Sequence, residues 1–317
     1  MESISELLKS IPNGKSLLDR FHELQQQLLS DPLVVKFRAN HPELDETALK
    51  LHLNQLHQYV TESGHCTRCP GLEQCPNDYE GHFTRLTVQN RNGQAYIHDY
   101  KVACKKQKER ESREAAQSRI RSFYVDERAL HEGYSLGEII NRDSAREAAV
   151  DYLIDYIERT EMQGLSLKGL YLYGNFGTGK TFLMCYLLHE MAKIGLTGII
   201  VYVPDFIEDL KLMFDQPARM KETLDLLKET DILIFDDIGA ENLNPWARDH
   251  VLGAILNYRM NRKPTFYTSN YDLDALEKHM SFTNKEGEDE AKGKRIMERI
   301  RPYVDVVPVL GRNQRSP

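Results

Sequence analysis

Eight residues, Gly174-Asn175-Phe176-Gly177-Thr178-Gly179-Lys180-Thr181, constrain this chain more than any others. They fit a glycine, four residues, then Gly-Lys-Ser/Thr, the pattern of a loop that wraps phosphate oxygens in backbone N–H groups. The apolar run Gly169–Tyr173 before the loop reads as a buried strand, and Phe182–Leu188 after it begins a helix. The glycines let the N–H groups turn inward, and the helix N-terminus adds a partial positive charge. On this reading Lys180 reaches the β- and γ-phosphates, and the Thr181 hydroxyl ligates magnesium.

Strand-like apolar runs then alternate with helix-compatible segments: Gly198–Val203, Asp231–Phe235, Thr265–Ser269 and Val304–Val309. Such alternation predicts an α/β fold, a mainly parallel sheet with helices on both faces. Ligands of these sheets lie at the carboxyl ends of the strands, so the polar residues that end each run are candidates for chemistry. Asp236 is expected to hold magnesium and Asp237 to polarise an attacking water. The amide of Asn270 is placed to orient the same water.

The first 60 residues read as helical, with Leu17, Leu18, Phe21, Leu24, Leu28 and Leu29 on one stripe. Asp31-Pro32 is a helix start, and Leu49, Leu51, Leu53, Leu56 and Val60 mark another amphipathic segment. So small a set of helices must lean on something, and a docking module for a partner protein is one reading. Cys66, Cys69 and Cys75 follow at metal-ligand spacing, with Cys104 further on and His82 and His65 as competing fourth ligands. Their residue types and spacing point to a structural zinc site. Between Lys101 and Arg121 there are eight basic residues against three acidic ones, a solvated helix or linker.

No apolar run approaches the ~20 residues of a membrane span. The first residues show neither a basic start nor a signal core, so a cytoplasmic protein is expected. A net charge of −7 argues against nucleic-acid binding over the whole surface but allows a local patch. Arg259, Arg262, Lys263 and Tyr258 lie near the fourth run without forming a clear stripe.

The phosphate loop, Ile234-Phe235-Asp236-Asp237-Ile238-Gly239-Ala240-Glu241, Thr268-Ser269-Asn270-Tyr271 and Lys294–Arg301 resemble the AAA+ ATPases, specifically their DnaC/DnaI/IstB-like branch. The resemblance runs from about Tyr124 to Leu310, and the cysteines with the helical leader extend it toward the helicase loaders. It implies a five-stranded sheet with the phosphate-loop strand central, Asn270 as a sensor, and an arginine finger at Arg295 or Arg299. It further implies ATP, Mg2+ and Zn2+ as cofactors and self-association through the AAA+ domain. The implied partners are the replicative hexameric helicase, single-stranded DNA and other primosome proteins. The division expected is a small helical zinc-binding, helicase-interaction domain over 1–105, a charged linker over 106–130 and the AAA+ domain over 131–317. A transposition helper of the same branch and a small-molecule phosphate-loop kinase are the competing functions. Many AAA+ proteins carry glutamate where this chain has Asp237, so slow hydrolysis modulated by a partner or DNA is expected. Sixteen residues follow Arg301, too few for a helical lid, which leaves a lid-borne sensor arginine without a candidate.

Overall fold

The computed structural model describes residues 14–91, 94–125, 144–285 and 287–313. The first 13 residues of the leader and the expected boundary at 131 lie outside them. The chain divides into two compact units, Met1–Ser112 and Arg113–Pro317.

The first unit begins with helices α1 (Gly14–Leu29), α2 (Pro32–Ala39), α3 (Glu46–Leu51) and α4 (Leu53–Thr67). Asp31 caps α2, its Oδ1 accepting from Leu33 N at 2.8 Å, with Pro32 in the first turn as the sequence predicts. The second amphipathic segment breaks at His52, which buries Leu49 and Leu56 but leaves Leu51 exposed. In α1, Leu28 and Leu29 pack inward, whereas Phe21 and Leu24 stand in solvent. The side chains of Leu17 and Leu18 are outside the described set.

A purely helical first unit is not what forms. Strands β1 (His82–Arg91) and β2 (Gln94–Ala103) make an antiparallel hairpin of ten residues per strand. Its inner face, with Leu86, Val88, Ala95 and Ile97, closes the core on Val34, Leu44, Leu49 and Leu56. The hairpin is weakly marked in the sequence, because the register that pairs Leu86 with Asp99 puts an acidic residue on the face where apolar alternation would continue. Glu62 of α4 ties the hairpin down: it accepts from Thr84 N at 2.6 Å and Thr84 Oγ1 at 2.7 Å, and pairs with Lys101. Burial pulls the Glu62 carboxyl upward, but Lys101 and Thr84 outweigh it and hold it below the usual range. Helix α5 (Lys105–Ser118) follows.

The second unit is built on a parallel sheet in the order β10-β4-β7-β6-β5-β3. Its strands are β3 (Ile120–Phe123), β4 (Gly169–Tyr173), β5 (Gly198–Tyr202), β6 (Ile232–Asp236), β7 (Thr265–Ser269) and β10 (Val304–Pro308). The helices are α6 (Glu147–Gln163), α7 (Lys180–Lys193), α8 (Val203–Leu212), α9 (Pro217–Glu229), α10 (Gly253–Arg259), α11 (Leu273–Ser281) and α12 (Glu290–Met297), with β8 (Phe282–Thr283) pairing β9 (Gly287–Glu288). Side chains alternate across the sheet. Leu170, Leu172, Ile200, Ile234 and Phe266 join the core that includes α6 and α7, while Tyr171, Val201, Leu233, Phe235 and Tyr267 join the core on the other side.

The expected count of five strands is therefore corrected to six, and the phosphate-loop strand β4 is second from one edge rather than central. The extra strand, β3, lies within 106–130. It escapes sequence reading because only Ile120 and Phe123 of its four residues turn toward apolar neighbours, beside Arg119 and Arg121. Pairing with β5 makes it a strand, a contact made across more than 70 residues of sequence.

Candidate nucleotide site

The carboxyl ends of β4, β5, β6 and β7 converge, and a cavity of about 440 Å³ opens there. It is lined by Phe176, Gly177, Gly179, Lys180 and Thr181 of the phosphate loop together with Asp236, Asp237, Thr268 and Asn270. Thus the parallel sheet brings Lys180 and Asn270, 90 positions apart, into direct contact. Thr178 hydrogen-bonds Asn175 O at 3.0 Å within the loop, and Gly174 N donates to Ser269 O at 3.2 Å, anchoring the loop to the end of β7. Gly177 adopts φ +72°, which strains any other residue, and a Cβ there would also have to displace the Asn313 amide.

Lys180 is 7% exposed, and its ammonium donates to Gly174 O, Asn175 O and Asn270 Oδ1, each at 2.9 Å. Asn270 donates its Nδ2 to Asp237 Oδ1 at 2.8 Å. A continuous path of charge and hydrogen bonds therefore links the loop lysine to the second aspartate through the amide. Thr181 Oγ1 lies 2.9 and 3.1 Å from the two oxygens of Asp236, so hydroxyl and carboxylate share one point in the cavity. Burial pushes the Asp236 carboxyl up from its ordinary range; Thr268 and Thr181 oppose this by hydrogen bonds, neighbouring Asp237 adds to it, and Lys180 counters it. A buried carboxylate beside a threonine hydroxyl fits a divalent cation, whose charge would offset the burial cost.

Residues that sequence reading did not select also matter. Thr268 donates to Asp236 Oδ1 at 2.6 Å and accepts from Asp237 N at 2.8 Å, setting the two aspartates relative to each other. It stands one residue before the Ser269-Asn270 pair, so its position in the Thr-Ser-Asn run was the available signal. Tyr124, Val125, Phe182 and Tyr202 supply an aromatic and apolar side to the cavity. Tyr124 arrives there because β3 runs parallel to β5, and its hydroxyl bonds to Asp209. Burial, followed by Asp209, pushes the Tyr124 phenol up to about 12.

The arginine candidates do not line this cavity. Arg295 is exposed on α12, and Arg299 donates to Arg295 O at 2.6 Å and to Asn257 Oδ1 at 3.4 Å. Arg259 is unavailable to any ligand. It is 1% exposed and donates to the carbonyls of Leu227, Lys228, Thr230, Asp231 and Pro264. Arg262 lies over the Tyr258 ring at 4.8 Å.

In the first unit, burial raises the Cys66 thiol, and Cys69, Cys75 and Cys104 act on it electrostatically. Among the described residues, no three ligating side chains are arranged to hold a metal ion. The thiols do face N–H donors. Asn77 Nδ2 lies 3.6 Å from Cys66, Lys106 Nζ 3.5 Å from Cys69, and Gln107 N 3.4 Å from Cys104. His82 Nδ1 pairs with Glu80 O at 2.8 Å and His65 Nδ1 with Asn77 Oδ1 at 3.0 Å. Among the described residues, no helix is long and apolar enough to cross a membrane.

Residues 1–96 match the family described as primosomal protein DnaI N-terminus, and residues 154–316 match the IstB-like ATP binding protein family. The replicative helicase loader DnaI of Bacillus subtilis (strain 168) is 32% identical over 319 residues, covering 100% of both chains. A crystal structure of DnaI is 37% identical, with a TM-score of 0.51 over 63% of this chain and 99% of that one. A solved structure from Streptococcus pyogenes serotype M3 is 32% identical, with a TM-score of 0.51 over 63% of this chain and 98% of that one. With a relative matched from end to end and both of its units accounted for by family, the chain belongs to the DnaI family.

Proposed function

We propose that this chain is an ATP-dependent loader of a replicative hexameric DNA helicase onto single-stranded DNA during primosome assembly. The observation that carries the reading is one cavity holding Lys180, Thr181, Asp236, Asp237 and Asn270 in a chain that matches a helicase loader over its whole length. In the proposed mechanism the loop amides and Lys180 bind the triphosphate. Thr181 and Asp236 would hold magnesium, which would supply charge neutralisation at the phosphates. Asp237 accepts a proton from the attacking water while Asn270 fixes that water's orientation. Arg295 or Arg299 reaches the nucleotide of a neighbouring copy, so turnover depends on assembly. The N-terminal unit binds the helicase, with Phe21 and Leu24, 53% and 57% exposed, available on α1.

The test is a loading assay with the full chain, the hexameric helicase and circular single-stranded DNA. Helicase bound to the circle is expected to rise on adding ATP and this protein together. Equal loading with and without the protein would end the loader reading.

We also propose that Cys66, Cys69 and Cys75 hold one structural zinc with Cys104 or His82 or His65. Cysteine spacing supports it, as do the N–H groups placed to stabilise thiolates. Metal analysis of chelator-washed protein should find about one zinc per chain. A metal-free protein that still binds helicase would refute it.

A further inference from the structure

The segment Asp237–Glu241 connects the nucleotide cavity to α11, and its last residue has no part in the mechanism above. Glu241 is 3% exposed. Its Oε2 accepts from Gly239 N at 2.7 Å, and its Oε1 receives His279 Nε2–H at 3.2 Å. The histidine belongs to α11, and its ring stacks on Tyr271, centroids 6.1 Å apart. Gly239 lies at φ +98°, and a Cβ there would strike the Tyr271 ring. Tyr271 is itself held, since Tyr171 donates its hydroxyl to Tyr271 O at 2.8 Å.

Asp237 occupies left-handed backbone, φ 56°, a conformation that persists only when neighbours enforce it. On the strand side that work falls to Thr268 and Ser269: Ile238 N donates to Thr268 O at 2.9 Å and Ser269 Oγ to Ile238 O at 2.6 Å. On the far side the turn is held by Glu241. A carboxylate this deeply buried needs its partners, and His279 supplies the one that comes from another element. The same helix faces α12 elsewhere. Beyond the end of α12, Arg301 Nη2 donates to Leu273 O at 3.2 Å, Asp274 Oδ1 at 2.7 Å and Glu277 Oε2 at 3.0 Å, and α11 packs along α12, which carries Arg295.

We propose that the Glu241–His279 pair is a positioning relay: it sets the turn that aims Asp237 and ties that turn, through α11, to the α12 face bearing Arg295. The inference rests on the nucleotide-hydrolysis reading given above. Asp237 bonds Asn270 at one end of the turn and Glu241 bonds both Gly239 N and His279 at the other, so the relay carries any movement of that turn to α11.

The test uses the full chain with His279→Ala, His279→Gln and Lys180→Ala variants, with helicase and single-stranded DNA present. His279→Ala should lower kcat roughly tenfold with KM and nucleotide Kd within about twofold of wild type. His279→Gln, whose amide can still donate to Glu241, should recover most of the loss. In hydrogen exchange, residues 238–241 should exchange faster in His279→Ala, and nucleotide should protect α12 in wild type but not in this variant. Unchanged kcat and exchange in His279→Ala would overturn the relay, as would equal losses in Kd and kcat without rescue by glutamine. Wild-type turnover no faster than Lys180→Ala would instead remove the hydrolysis reading, and the exchange data would still decide the relay.

Discussion

Replacing Asp237 with asparagine is expected to slow ATP turnover by about 10²- to 10⁴-fold, the range over which a positioned general base contributes. The substitution keeps the shape and an oxygen able to accept from Asn270 Nδ2, now 2.8 Å away, so the cavity should stay assembled. What disappears is the negative charge that draws a proton from water. Nucleotide affinity should change little and in a defined direction. Asp237 contributes to the upward shift of the Asp236 carboxyl, so its neutralisation makes Asp236 easier to ionise and magnesium no harder to hold. Phosphate release measured at saturating ATP, beside a binding titration, separates the two effects. Turnover within threefold of wild type would mean that Asp237 is not the base. On the proposed mechanism, the aspartate in place of the glutamate of many AAA+ proteins would act on the same step, since the shorter side chain is held by Asn270 and by its own left-handed backbone.

Lys180→Ala should weaken ATP binding by about 100-fold, or ~2.7 kcal/mol, the scale of losing a charge-assisted hydrogen bond to phosphate in a secluded site. Two contributions add. The phosphate loses a cation, and Gly174 O and Asn175 O lose the donor that shapes the loop. A Lys180→Gln variant separates them, because its amide can serve a carbonyl but carries no charge. Titration with a fluorescent ATP analogue measures both. Affinity within threefold of wild type in Lys180→Ala would show that the loop amides alone suffice and would detach the mechanism from its centre.

The two substitutions also distinguish a protein that uses ATP as a switch from one that uses its hydrolysis. If helicase loading survives Asp237→Asn but fails in Lys180→Ala, binding is the working event and hydrolysis resets it. If both fail, the chemical step is needed for loading itself.

The phosphate-loop residues, the two aspartates and Asn270 were legible because they obey local rules, whereas Thr268 and Tyr124 of the same cavity were not. Glycine spacing before Lys180, a buried strand on one side and a helix on the other are properties of one short stretch. The carboxylates and amide at the ends of β6 and β7 follow from where parallel strands deliver their ends. The structure places Asp236 beside Thr181 and Asn270 between Lys180 and Asp237. The arginines could not be resolved in the same way. Nothing in local sequence distinguishes Arg259, sealed among five backbone carbonyls, from Arg262 three residues on, which lies over a tyrosine ring.

By itself, then, the sequence determined that a phosphate-binding loop would open a helix in a parallel sheet, because strand, turn and helix signals are carried within a few turns of chain. Tertiary structure alone decided that β3 completes the sheet and carries Tyr124 to the cavity, that Thr268 joins the two aspartates, and that Glu241 meets His279 across 38 residues. Each of these is a pairing between distant segments, and its energy exists only once both partners have been brought together and water has been excluded from between them.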